Sequence, residues 1–175
     1  MTSPEWLLRV LGGRPKPVKR PVRRDPPTPL TRDRIGEHLS ARGYRFAVDD
    51  DGDLTGTWDG SRFWFLTLGD AGEILQVRGR WHRQLPLEQR GAVGLALNDW
   101  NRERIWPKAY VREEEGRLAL YSEVSADLEA GVTDRQLAQL LACGLGTGVH
   151  MFTALDALLP RDDEDVPGPT DIPDN

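Results

Sequence analysis

Asp59-Gly60 constrains this chain more than any other pair of residues, because it leaves the runs on either side a single arrangement. Residues 54–58 and 62–68 (RFWFLTL) are of strand length and rich in aromatic and apolar residues. An Asp-Gly pair between two such runs supplies the positive-φ positions of a tight antiparallel hairpin. Alternation within 62–68 then sets Trp64 and Leu66 on one side and Phe63 and Phe65 on the other, so both faces of that strand are apolar. One face should meet the helices. The other needs a cover: a second subunit, a client peptide, or helices on both sides of the sheet.

The remaining elements fall into order around the hairpin. Residues 31–42 form a helix with Ile35 and Leu39 inward and Gly43 as its stop. Tyr44 to Val48 alternates as a strand, and Asp49 to Asp53 turns into the hairpin. Gly69 to Gly72 turns into a fourth strand over 73–82, and Pro86 opens a second helix that Pro107 limits. Residues 108–113 and 117–124 pair around Glu115-Gly116. The last helix has the clearest start: Thr133 caps it, Gln136 completes a capping box, and Val132 with Leu137 can form a hydrophobic staple. Leu137, Leu140, Leu141, Leu145, Met151, Phe152, Leu155 and Leu158 continue as one stripe to Pro160. The order α-β-β-β-β-α-β-β-α predicts an α+β fold, a single antiparallel sheet with flanking helices.

Two places put unexpected residues on a greasy surface. At about 100° per residue over 86–105, Leu87, Val93, Leu95, Leu97, Trp100 and Ile105 spread over one broad arc, and Asn98 and Asn101 fall inside it. A buried amide without a partner costs about 1–3 kcal/mol, so both asparagines are expected to anchor the helix through fixed hydrogen bonds, rather than to recognise a ligand. Gly144 and Gly148 lie within the stripe of the last helix. Each costs about 1 kcal/mol relative to alanine there, and close approach to the sheet or to a second subunit is the expected compensation.

Charge divides the chain. Residues 1–29 carry +5 and residues 161–175 carry −5, within a net charge of −5, so the middle is itself acidic. That argues against a nucleic-acid platform on the domain surface, which would need clustered Lys and Arg. Residues 14–29 are proline-rich and basic, without apolar periodicity, and read as an extended linker. Ahead of them, Ser3 to Leu11 reads as one or two helical turns, too short to stand alone. The expected division is therefore residues 1–29 as arm, 30–160 as domain and 161–175 as a disordered acidic tail. The single cysteine, Cys143, excludes an intrachain disulfide and suits a reducing compartment. No uninterrupted apolar run approaches the ~20 residues of a spanning helix, so a cytoplasmic location is expected.

Catalytic and metal motifs do not emerge. Gly144-Leu145-Gly146-Thr147-Gly148 looks like a phosphate cradle, but it lies inside a helical stripe and no Lys-Ser or Lys-Thr pair follows. Aligning Gly52 with the required glycine of a calcium loop puts Ala47 and Trp58 at ligand positions, and both fail. His38, His82 and His150 are scattered, and Cys143 has no motif around it. No catalytic residue, metal ligand or cofactor is assigned.

With that order established, residues 98–124 (NDWNRERIWPKAYVREEEGRLALYSEV) closely resemble the bacterial YbjN family. The shared pattern is N-x-x-N, a short basic stretch, a proline-tipped strand, an acidic Gly hairpin and a strand of alternating Leu. The Thr-capped GVTDRQLAQLL that follows also matches, as do the helix, Gly-Tyr strand and aromatic hairpin of residues 31–82. The resemblance covers about residues 31–159 and leaves both tails outside. It implies a fold like type III secretion chaperones, small α/β dimers that bind other proteins, and a role labelled sensory transduction regulation. No catalytic residues come with it. The chain departs from the pattern in its N-terminal extension and in the glycines at 144–148.

The resulting expectation is a non-enzymatic, chaperone-like, protein-binding regulator, homodimeric, with Trp64, Phe65, Trp81 and Trp106 as its partner surface. The alternative makes the arm the active part. Arg14, Lys16, Lys19, Arg20, Arg23 and Arg24 would bind nucleic acid or anionic membrane, with Trp6, Leu7, Leu8 and Leu11 as a membrane foot.

Overall fold

The computed structural model describes residues 25–159. The expected N-terminal helix, the arm residues Arg14, Lys16, Lys19, Arg20, Arg23 and Arg24, and the tail 161–175 lie outside the described residues.

Helix α1 (Arg32–Ala41) leads into β1 (Ala47–Val48), β2 (Leu54–Trp58), β3 (Ser61–Leu68) and β4 (Ile74–Leu85). One 3-10 turn (Leu87–Gln89) precedes α2 (Arg90–Glu103), followed by β5 (Lys108–Glu114), β6 (Arg117–Asp127) and α3 (Asp134–Leu158). The six strands form one sheet in the order β1-β2-β3-β4-β6-β5, and every neighbouring pair is antiparallel. Asp59 and Gly60 take φ of 47° and 77°, and Glu115 and Gly116 take 52° and 76°, the geometry that both two-residue hairpins require. Strand β1 is shorter than the expected 44–48. Tyr44 leaves the ladder and sets its ring edge-on to Trp58, with centroids 5.6 Å apart.

All three helices lie on one side. Leu54, Phe63, Phe65, Leu75, Val77, Trp81, Leu118, Leu120 and Val124 point into that side, and all are buried. Helix α3 crosses the middle strands at very short range. A Cβ on Gly144 would stand 2.6 Å from Val77 Cβ, and one on Gly148 would stand 2.7 Å from both Phe63 Cε1 and Ser122 Oγ. Gly79 of β4 opens the sheet to match, since its own Cβ would meet Phe63 Cε1 at 2.5 Å. Gly146 is different: it faces outward, with nothing within 4 Å. The capping box at Thr133 and Gln136 is present, and α3 runs unbroken for 25 residues through its glycines. By length and composition α3 could cross a membrane, with a mean hydropathy of 1.3 over its most apolar window. That is more apolar length than residue runs alone suggest; in the fold it supplies Leu137, Leu141, Leu145, Met151 and Phe152 to the core.

The domain begins earlier than expected. The Asp25 carboxylate accepts the backbone N–H groups of Asp134 and Arg135 at 2.9 and 3.0 Å, across the first turn of α3. Thr28 bridges Val132, and Arg34 clamps the segment by donating to the carbonyls of Thr28, Pro29 and Val132 and to Asp134. Residues 25–30 are thus a strap on the domain, although their composition reads as linker.

Helix α2 departs most from its expected surface. The expected arc is too broad: at about 100° per residue Val93, Leu97 and Trp100 lie within about 60° of one another, whereas Leu95 lies about 160° from Leu97. Leu97 is buried, with Val93 and Trp100 packed beside it, whereas Leu95 is 70% exposed and Ile105, beyond the end of the helix, 89%.

Candidate functional site

The second face of the sheet is its distinctive surface. Alternation delivers Thr55 and Thr57 from β2, Arg62, Trp64 and Leu66 from β3, and Gln76, Arg78 and Arg80 from β4. From β6 and β5 come Tyr121, Glu123, Lys108, Tyr110, Arg112 and Glu114. No helix among the described residues covers them. The register lines up Thr55, Trp64, Arg78, Glu123 and Lys108 across five strands, with Thr57, Arg62, Arg80, Tyr121 and Tyr110 as the next row.

This face partly shields itself. The Arg62 guanidinium lies 4.8 Å from the centroid of the Trp64 ring, and Arg112 lies 5.8 Å from that of Tyr121. Tyr110 and Tyr121 stack at 5.3 Å with their planes 8° apart. Glu114 joins the rows, bonded by the Tyr121 hydroxyl and, at 3.0 Å, by Arg80 Nε. Burial pushes the Tyr110 hydroxyl up to about 12, and burial with the Glu114 hydrogen bond raises Tyr121, so both phenols keep their protons. For Glu114, burial alone would raise the carboxyl. The hydrogen bonds from Tyr121 and Arg80 and the charges of Arg80 and Arg112 outweigh it and hold the group below its ordinary range.

A cavity of about 300 Å³ opens on this face. Trp64, Leu66, Leu68 and Tyr121 give it apolar walls, Arg78 and Arg112 point charge at it, and Asp49, Asp51 and Asp53 form one rim. Arg78 donates to Gln76 Oε1, but its Nε is buried without a hydrogen-bond partner. Neither Arg78 nor Arg112 has a carboxylate at ion-pair distance among the described residues. Rings, guanidinium donors and an apolar cleft on a strand surface are groups able to stack and to donate hydrogen bonds to a ligand.

Of the expected partner residues, only two are available. Trp64 is half-buried on the open face, and Trp106 is 45% exposed just before edge strand β5, on the rim of a cavity of about 390 Å³ with Leu128, Leu140 and Cys143. Phe65 and Trp81 are corrections. Both are fully buried under the helices, and Phe65 could not have shared a face with Trp64, its neighbour in the strand. Trp81 continues the inward row of Leu75, Val77 and Gly79, a signal that alternation already contained.

The two asparagines separate. Asn101 pairs both of its amide atoms with the backbone of Ala109: Nδ2 donates to the carbonyl and Oδ1 accepts the N–H, each at 2.8 Å. Those are the outward-pointing groups of edge strand β5, so a side chain closes the edge at that residue as a neighbouring strand would. Asn98 is exposed and has no such partner, which corrects its expected role as an anchor.

One constellation was invisible in the sequence. Ser61 Oγ, His82 and Asp156 stand in line, with Ser61 Oγ 3.5 Å from His82 Nδ1 and His82 Nε2 3.7 Å from Asp156 Oδ1. Both distances exceed working hydrogen-bond reach, about 2.6–3.2 Å. The hydroxyl is 1% exposed and accepts the backbone N–H of His82 at 3.2 Å. It ties β3 to β4 and is not placed to attack a substrate. Burial also raises the Cys143 thiol, which leaves it a poor nucleophile near neutrality.

The fold and this surface define a class: an α+β domain with helices on one side of an antiparallel sheet and the other side open. Residues 31–157 match the family model YbjN, described as "Putative bacterial sensory transduction regulator". The chain belongs to the YbjN family. Among solved structures it is similar to the one entitled "Crystal structure of YbjN, a putative transcription regulator from E. coli". The TM-score is 0.66 at 16% identity, covering 78% of this chain and all of the other, and it establishes the shared fold. A looser likeness, at TM-score 0.44 and 14% identity, covers 72% of this chain and 97% of a chain in the HopA1-SchA chaperone-effector complex. No curated protein matches.

Proposed function

We propose that this chain is a cytoplasmic, non-enzymatic regulator that binds another protein across the open face of its sheet, and that it does so as a homodimer. The observation that carries the reading is the double row of rings and guanidinium groups on that face, left uncovered by the helices. An extended segment of a partner suits it. Apolar side chains enter the cleft between Trp64 and Leu66, and carboxylates or backbone carbonyls meet Arg78 and Arg112. The lone cysteine suits a reducing compartment. The homodimer is supported by exposed Ile105 and Trp106, adjacent apolar residues beside the cavity that Leu128 and Leu140 line.

The test replaces Trp64 and Arg112 with serine and compares crosslinked partners from native cells with those of the wild-type chain. Loss of a specific partner at unchanged circular dichroism and melting temperature is the expected result. Capture that survives both substitutions refutes the open-face reading. Mass measured in solution tests the dimer separately, and a strict monomer at high concentration removes that part.

A further inference from the structure

The open face leaves a second, independent surface on the helix side unexplained. Between the first half of α2 and the last turns of α3 lies a groove of about 270 Å³. Leu97 and Leu120 form its floor, Ala92 and Ala96 one wall, and Leu155 and Leu158 the other. Its lining is almost wholly apolar, and Leu158 on its rim is 75% exposed. Alanines on the α2 wall leave room for larger side chains from outside.

We propose that the groove is filled by the N-terminal segment of the same chain, with Trp6, Leu7, Val10 and Leu11 as the inserted side chains. These residues recur at i, i+1, i+4 and i+5, the spacing of one apolar helical face, while Glu5 and Arg9 fall on the other. A short amphipathic helix laid into an apolar groove buries what neither part can bury alone.

The length and starting point of the connection favour this occupant. The chain is fixed at Asp25, whose carboxylate holds the first turn of α3, at the opposite end of that helix from the groove. From Asp134 to Leu155 the helix rises about 32 Å at about 1.5 Å per residue. Residues 12–24 join Leu11 to the anchor, and at the extension of a proline-rich chain, about 3.1 Å per residue, they span about 40 Å. The reach matches the distance with little slack. Tethering at that length gives an effective concentration on the order of millimolar, which favours the chain's own groove over that of a second copy.

Hydrogen exchange on the full chain tests this. Wild type is compared with a variant carrying Leu7→Asp and Leu11→Asp, two substitutions outside the described domain. The expected result is exchange about tenfold slower at residues 92–97 in the wild type. Equal exchange in the two proteins overturns the proposal. A second measurement fixes the geometry: in a Cys143→Ser background, the Leu7→Cys and Ala92→Cys variant is treated with a short bismaleimide. A crosslink within one chain supports it, whereas crosslinked dimers assign the groove to a second copy and overturn it. Binding of the wild type, but not the aspartate variant, to phosphatidylglycerol vesicles while residues 92–97 exchange equally in both also overturns it, by making the segment a membrane foot.

Discussion

Replacing each glycine of α3 with alanine gives three changes of identical chemistry and opposite expected sign. In a helix interior the substitution itself stabilises by about 1 kcal/mol. At Gly146 nothing lies within 4 Å of the new methyl group, so that gain stands alone. At Gly144 the methyl would sit 2.6 Å from Val77 Cβ, an atom fixed to the backbone of a central strand that cannot rotate away. Overpacking of this kind costs about 1–3 kcal/mol, and the rigidity of the obstacle puts Gly144 at or above the top of that range. The net effect is destabilisation by about 2 kcal/mol. At Gly148 the obstacles are the Phe63 ring and the Ser122 hydroxyl, which can give a little, so a smaller loss is expected. Urea denaturation reads the series directly. With a slope of about 2 kcal/mol/M, the midpoint should rise by about 0.5 M for Gly146→Ala and fall by about 1 M for Gly144→Ala. Equal midpoints for these two variants would refute the claim that α3 is seated by contact at its glycines.

Two further outcomes follow from side-chain geometry. Asn101→Ala should lose about 1–2 kcal/mol, from two hydrogen bonds of about 1 kcal/mol each partly replaced by water, while Asn98→Ala stays within about 0.5 kcal/mol; thermal melts of both variants check the contrast. Glu114 has its folded-state pKa below the ordinary 4.5, so its contribution is complete above that value and is lost as pH falls through the folded pKa. Urea midpoints at pH 7 and pH 3.5 should therefore fall further apart in the wild type than in Glu114→Gln, and an identical fall would show that the Tyr121–Glu114–Arg80 group contributes nothing.

The elements were readable in the sequence because their signals are local. Asp59-Gly60, Glu115-Gly116 and the Thr133 capping box each specify backbone geometry within four residues, and each is present in the fold. The two faces of β3 were readable for the same reason, since alternation depends only on neighbours. What sequence missed depended on the width of a helix face or on distance. The arc drawn for α2 was wider than the face that packs: Leu95 and Asn98 lie about 160° and 100° from buried Leu97 and are exposed, while Asn101, about 40° away, reaches β5. The strap at residues 25–30 is tied through Asp25 and Thr28 to partners more than a hundred residues away, and nothing in its composition announces them. The cavity walled by Trp64, Arg78, Arg112 and Tyr121 is assembled from four strands, so its residues are ordinary in sequence and meet only in the sheet.

The open face as a protein-binding surface is tested most directly by photocrosslinking from within it. A benzoylphenylalanine placed at Thr57, exposed beside Arg62 on that face, is compared in native cells with one at Gly146, exposed on the outer side of α3. A specific protein adduct from position 57 and none from position 146 is the predicted result. An adduct formed equally from both positions, or from 146 alone, would contradict it.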